Sequence, residues 1–182
     1  MTNKSTFVFT EVYNCAKIGK VALKSYHNYH NHPVHIFGTY KDFSQLGSIA
    51  DHKNNIFIDT SGDRQLQDLY KKGHSGTAYI FAKVFCGELC DSDNIIHFDS
   101  DVFFKQEALS LIEKEFENGY DIIGSRRCYV KNPVSIPFPE GTPDTTSTYF
   151  FGMNKKFVPK FSFQQLMDAI NGHPSGISHD IL

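Results

Sequence analysis

The sequence is short of cysteine, of clustered charge and of long apolar runs, and each shortage excludes a class of protein. Four cysteines (Cys15, Cys86, Cys90 and Cys128) are scattered over 182 residues, too few for the disulfide framework of a small secreted scaffold. Lysine and arginine total 18 against 20 aspartates and glutamates, for a formal charge of -2, and they are spread along the chain. That distribution predicts no basic face for nucleic acid and no acidic tail. The opening stretch "MTNKSTFVFTEVYNC" lacks the apolar core of a secretory signal. No run approaches the ~18 apolar residues that span a bilayer, so a cytosolic (cytoplasmic) protein without a membrane span is the expectation. Two phosphate-binding loops are missing as well. Neither G-x-x-x-x-G-K-[ST] nor G-x-G-x-x-G occurs, although "CAKIGKV" offers lysines and a glycine. That disfavours a nucleotide kinase and a dinucleotide-dependent dehydrogenase.

What is present is 40% apolar and 14% aromatic, enough to fill one substantial core. No internal repeat, low-complexity tract or linker divides the chain, so residues 1–182 are expected to form a single domain. "TFVFTEVY" predicts a strand from Thr6 to about Val12. After it, Ile18, Val21, Ala22, Ser25 and Tyr29 share a helical stripe until Pro33 forbids continuation. "VHIFGTY" and "NNIFIDTSGD" predict two further strands closed by turn residues. Ala78, Phe81, Ala82, Phe85 and Leu89 recur at helical spacing. "NIIHF", apolar apart from His97, predicts a central parallel strand covered on both faces. A helix follows with Ala108, Ile112 and Phe116 on one face and Asn118-Gly119 as its stop. "YDIIGS" and "YFFGMN" then predict strands, and "FSFQQLMDAI" a short helix. Between Arg126 and Thr148, four prolines and no periodicity predict a functional or mobile loop. Strands alternating with helices predict an α/β fold with a mixed, mostly parallel central sheet flanked by helices.

The chemistry concentrates in "HFDSDVFF". Successive strand residues point to opposite faces, which would send Asp99 and Asp101 to one side and Ser100 to the other. The pair would sit at the carboxyl end of a strand, where open α/β sheets bind ligands. At ~5 Å and an effective dielectric of ~20, two carboxylates repel by about 3 kcal/mol, so one takes up a proton or a cation sits between them. Magnesium or manganese suits such oxygen donors and completes its shell with substrate phosphates. The pair would then serve a departing diphosphate. An ordinary polar turn after a strand reads the same way. An EF-hand does not fit, because Ile96 and Val102 stand where its loop needs glycine and glutamate. Phe103, two places after Asp101, disfavours a phosphoaspartate phosphatase.

Taken in order, "TFVFTEVYN", "SGTAYIFAKV", "IIHFDSDVFF", "DIIGS", "YFFGMN" and a closing "SHD" resemble the nucleotide-sugar-dependent glycosyltransferases of the GT-A fold. The resemblance spans nearly the whole chain, and its one sharp motif is the Asp-Ser-Asp triplet. It implies that Asp99 and Asp101, around Ser100, bind Mn2+ or Mg2+ and the ribose or diphosphate of a nucleotide-diphosphate sugar. It places Thr10, Glu11 and Tyr13 near the base and ribose, and Lys83 on a helix that approaches the donor. Asp180 would be the general base for a hydroxyl of a glycan or other acceptor, with His179 or His173 as a further metal contact. The family often has an acidic pair where this chain has His179 before Asp180, and retaining members do without such a base, so the stereochemistry stays open. Arg126 or Arg127 is a candidate phosphate contact. Two other readings of the same residues remain: a nucleotidyltransferase acting on a sugar phosphate, and an inactive carbohydrate- or nucleotide-binding module.

The remaining clusters read as structural. His27, His30, His32 and His35 sit where a helix meets a proline stop, which predicts a solvated helix end rather than a zinc site. Cys86 and Cys90 read as inert buried thiols.

Overall fold

The computed structural model describes residues 5–71, 90–126 and 146–157. Its elements are β1 (Thr6–Glu11), α1 (Ala16–Tyr29), β2 (Val34–Gly38), α2 (Tyr40–Phe43), β3 (Asn55–Asp59), α3 (Arg64–Lys71), β4 (Asn94–Phe98), α4 (Leu109–Glu117), β5 (Ile122–Arg126) and β6 (Thr146–Asn154). A short 3-10 turn, Gly47–Asp51, precedes β3. The six strands form one sheet in the order β3-β2-β1-β4-β6-β5. β1 is parallel to β2 and β4, and β2 to β3. β6 runs antiparallel to both of its neighbours, so five strands point one way around a single reversed one. This is the mixed, mostly parallel sheet that the alternation of elements predicts.

β4 is buried along its whole length, as its unbroken apolar run demands, with a parallel neighbour on one side and an antiparallel one on the other. Val8, Ile36, Ile96 and Phe98 of the sheet pack against Leu23 and Tyr26 of α1 and Leu109, Ile112 and Phe116 of α4, with Phe104 between them. α4 stops as its Asn-Gly pair predicts. Gly119 adopts φ +93°, its N–H donates to the Phe116 carbonyl, and the Tyr120 N–H reaches back to Glu115, which is the bonding of a Schellman cap.

Two expectations change. The buried stripe of α1 is Ala16, Gly19, Ala22, Leu23 and Tyr26, while Ile18, Val21 and Tyr29 are 47%, 53% and 46% exposed. Small residues win this face because the helix lies close on the sheet: a Cβ on Gly19 would come within 2.7 Å of Val12 Cγ1. β6 also begins at Thr146, before the expected end of the loop at Thr148. The segments read as a helix over 78–89, as a loop over 127–145 and as the helix "FSFQQLMDAI" lie outside the described residues.

Candidate active site

The chain builds β1, β2 and β3 outward on one side and then returns to place β4 on the other side of β1. The carboxyl ends of β1 and β4 therefore flank a topological switch point, where open α/β sheets bind ligands. β1 ends on Glu11, and Asp99 directly follows the last residue of β4. The register pairs Phe9 with His97, and two further residues along each strand stand Glu11 and Asp99. Val8 and Val12 face the α1 core, so alternation turns Phe9 and Glu11 to the opposite face.

There the His97 imidazole meets two carboxylates. Its Nε2 lies 2.6 Å from Glu11 Oε2, with both side chains essentially fully buried, and 3.5 Å from Asp99 Oδ1. The Phe9 and Phe151 rings pack on the imidazole at centroid distances of 4.7 and 5.1 Å. Among the described residues, Glu11, His97 and Asp99 are the one trio of potential metal-ligating side chains whose ligand atoms all lie within 4.8 Å of one another. A carboxylate only accepts, so the short contact reads as His97 N–H donating to Glu11. That nitrogen cannot ligate a metal while the bond is made. Asp99, with a side chain 16% exposed, is the member of the trio that reaches the surface, and its oxygens suit a hard divalent ion. Asp99 thus offers the oxygen donor that a hard divalent ion would need, with the imidazole behind it.

The Asp-Ser-Asp triplet is not an extension of the strand. β4 stops at Phe98, and the Val102 N–H donates to the Asp99 carbonyl at 3.0 Å, closing a turn over Asp99–Val102. Strand alternation therefore does not reach Asp101, which is exposed and stands outside the buried trio. Ser100 is buried and turned toward α1, where a Cβ on Gly19 would lie 3.7 Å from its own Cβ.

The other residues expected near the donor are held in different ways. Thr10 is buried on the α1 side of β1, and its Oγ1 has no hydrogen-bond partner among the described residues. Tyr13 is fully buried, its hydroxyl 3.0 Å from Thr60 Oγ1, which donates to the Gly38 carbonyl. The intervening turn is clamped by Asp42, whose Oδ1 accepts the N–H of Asn14, a residue at φ +55°. Asp42 Oδ2 accepts the backbone N–H and hydroxyl of Thr39 in a capping box. Lys83, His173, His179, Asp180 and Arg127 lie outside the described residues, and Arg126 ends β5.

The histidines near Pro33 are not a solvated helix end. His30 is buried and joins two helices: Nδ1–H donates to the Tyr26 carbonyl at 2.9 Å, and Nε2 accepts the Ala108 N–H at 3.0 Å. His27 bonds Asn55 and stacks on His52. His32 and His35 bond the backbone carbonyls of Thr6 and Val8. Partners beyond the local stretch, invisible in its pattern, recruit them. Cys90 is buried, and burial pushes its thiol pKa up, as an inert thiol requires. His97 is the group that sequence reasoning missed. Its signal was one titratable residue inside an otherwise apolar strand.

No protein-family model matches the sequence, and no curated protein matches it. Solved structures do resemble it. The glycosyltransferase GlyE of Streptococcus pneumoniae TIGR4 superposes with a TM-score of 0.55 at 15% identity, over 96% of this chain and 41% of that one. Its apo form gives 0.53 at 18% identity, over 98% and 41%. The 4-diphosphocytidyl-2C-methyl-D-erythritol synthase of Anaerococcus prevotii DSM 20548 gives 0.50 at 13% identity, over 92% and 84%. The chain spans about two fifths of the GlyE chain. At these identities the likeness concerns the fold alone: the chain shares the GT-A-like α/β architecture of these structures.

Proposed function

We propose that the chain is a divalent-metal-dependent glycosyltransferase that moves a sugar from a nucleotide-diphosphate donor to a hydroxyl of a glycan or other acceptor. The observation that carries this reading is Asp99 standing at the switch point between β1 and β4, backed by the buried Glu11–His97 hydrogen bond. Asp99 and Asp101 would hold Mn2+ or Mg2+ and orient the diphosphate, the base and ribose lying over the end of β1 beside Tyr13. When bound, the ion would neutralise charge on the departing diphosphate. Lys83 would approach the donor, Asp180 would take the acceptor proton, and His179 would add a metal contact. A single catalytic domain over residues 1–182, working in the cytosol, belongs to the same proposal. The likeness to GlyE in fold supports it.

A second reading, nucleotidyl transfer to a sugar phosphate, draws support from the fold shared with the diphosphocytidyl-methylerythritol synthase. Products separate the two. Nucleoside diphosphate released from a nucleotide sugar indicates glycosyl transfer or hydrolysis, and pyrophosphate formed from a triphosphate and a sugar phosphate indicates the nucleotidyl reaction. Binding without either product indicates an inactive module. The test is a thermal-shift panel of uridine, guanosine and thymidine diphosphate sugars with and without Mn2+. One donor class is expected to stabilise the protein only with metal, and Asp99→Asn and Asp101→Asn are each expected to abolish that shift. Equal shifts without metal would overturn the reading.

A further inference from the structure

Glu11 and His97 are expensive to bury, and the fold buries both. Glu11 is 1% exposed and His97 fully buried on a sheet face shared with Phe7, Phe9, Phe37, Phe151 and the partly buried His35. A carboxylate in such surroundings destabilises the fold unless it is held by a charge-assisted hydrogen bond, and the 2.6 Å contact to His97 Nε2 provides one. The same Nε2 also lies 3.5 Å from Asp99 Oδ1, an ion-pair distance rather than a hydrogen bond, since its one N–H is given to Glu11. Phe9 and Phe151 pack on the imidazole, so the ring has little room to turn.

We infer that His97 is a positioning residue for Asp99, and that Glu11 is its anchor rather than a group that touches the nucleotide. The inference rests on the reading of Asp99 as a metal ligand. Asp99 follows the end of β4 and opens a turn, so the strand does not set the direction of its side chain. Holding Oδ1 near a fixed polar group orients the carboxylate plane and with it the direction of Oδ2. A metal-ligating carboxylate oriented from behind in this way binds with less reorganisation, and loss of such an outer partner costs metal affinity. The order of elements makes the linkage possible: β1 supplies the anchor, β4 the imidazole, and the turn after β4 the ligand.

The experiment measures Mn2+ affinity by electron paramagnetic resonance, with uridine, guanosine or thymidine diphosphate present and no turnover. The proteins are the wild type, Asp99→Asn, His97→Phe, His97→Gln and Glu11→Gln. His97→Phe keeps the ring between Phe9 and Phe151 but removes the polar nitrogen, and is expected to weaken Mn2+ binding about tenfold or more. His97→Gln restores an N–H near the Nε2 position and is expected to recover most of the affinity. Glu11→Gln, which loosens the anchor, is expected to fall between them. Circular dichroism checks each fold, and if His97→Phe does not fold, Glu11→Gln and His97→Gln decide. Lowered thermal midpoints with Mn2+ affinity unchanged in every folded variant would make the pair purely structural and overturn the inference. Failure of the wild type to bind Mn2+, or full binding by Asp99→Asn, would instead overturn the reading of Asp99 as a ligand.

Discussion

His30 shows how a single residue makes the protein sensitive to pH. Its Nε2 accepts the Ala108 N–H while its Nδ1–H donates to Tyr26, an arrangement that only the neutral ring can make. Burial lowers its pKa below the ordinary 6.5, against the opposing pull of the Tyr26 carbonyl and of Glu107 at 3.7 Å. His27 and His35 are lowered too, again chiefly by burial. A histidine held neutral in the fold binds its proton more readily once unfolded, so the unfolded state gains protons first as pH falls. Stability is therefore complete above 6.5 and is lost as pH drops through that value toward the lowered native pKa. The thermal midpoint is expected to decline between about pH 7.5 and about pH 5. His30→Gln, which cannot titrate, should give a shallower decline over the same range, and an unchanged slope would remove His30 from this account.

At the scale of elements, the contact between α4 and β6 depends on a missing side chain. A Cβ on Gly152 would lie 2.6 Å from Ile112 Cγ2 and 2.9 Å from Phe116 Cζ, so the helix rests directly on the backbone of the reversed strand. Gly152→Ala is expected to destabilise the fold by about 1–3 kcal/mol through overpacking. It should be seen as a lower urea midpoint at unchanged slope. Gly62→Ala is the control, since nothing lies within 4 Å of a Cβ there. Gly152 lies in β6 opposite Ile96 of β4, so a shift of α4 and β6 would reach the strand that leads into Asp99.

For the whole molecule, the proposed ligands act through mass action. A ligand that binds only the folded state at about 100 times its Kd adds about 2.7 kcal/mol of stability. Mn2+ with a matching nucleoside diphosphate is therefore expected to raise the unfolding free energy by an amount that grows with the logarithm of ligand concentration. Urea titrations at several ligand concentrations measure it. A gain that stays flat while ligand rises would show that no folded-state site is being filled. Among the described residues no helix is long and apolar enough to cross a membrane.

The sequence by itself determined the strands, α1, α4 and the fold class, but not the short α2 or α3. The apolar run of β4, the alternation of strands with helices and the Asn-Gly stop of α4 act over a few neighbouring residues, and all were legible. It also marked the acidic triplet after β4. Which stripe of α1 faces inward was decided by how closely the helix approaches the sheet, a distance that no local pattern carries. The ends of the strands were equally hidden, and with them the fact that Asp99 opens a turn instead of continuing β4. The meeting of Glu11 with His97 joins residues 86 positions apart and exists only because β4 returns to lie beside β1. Long-range pairing, and the burial that turns a lone histidine into the partner of two carboxylates, belong to the tertiary structure alone.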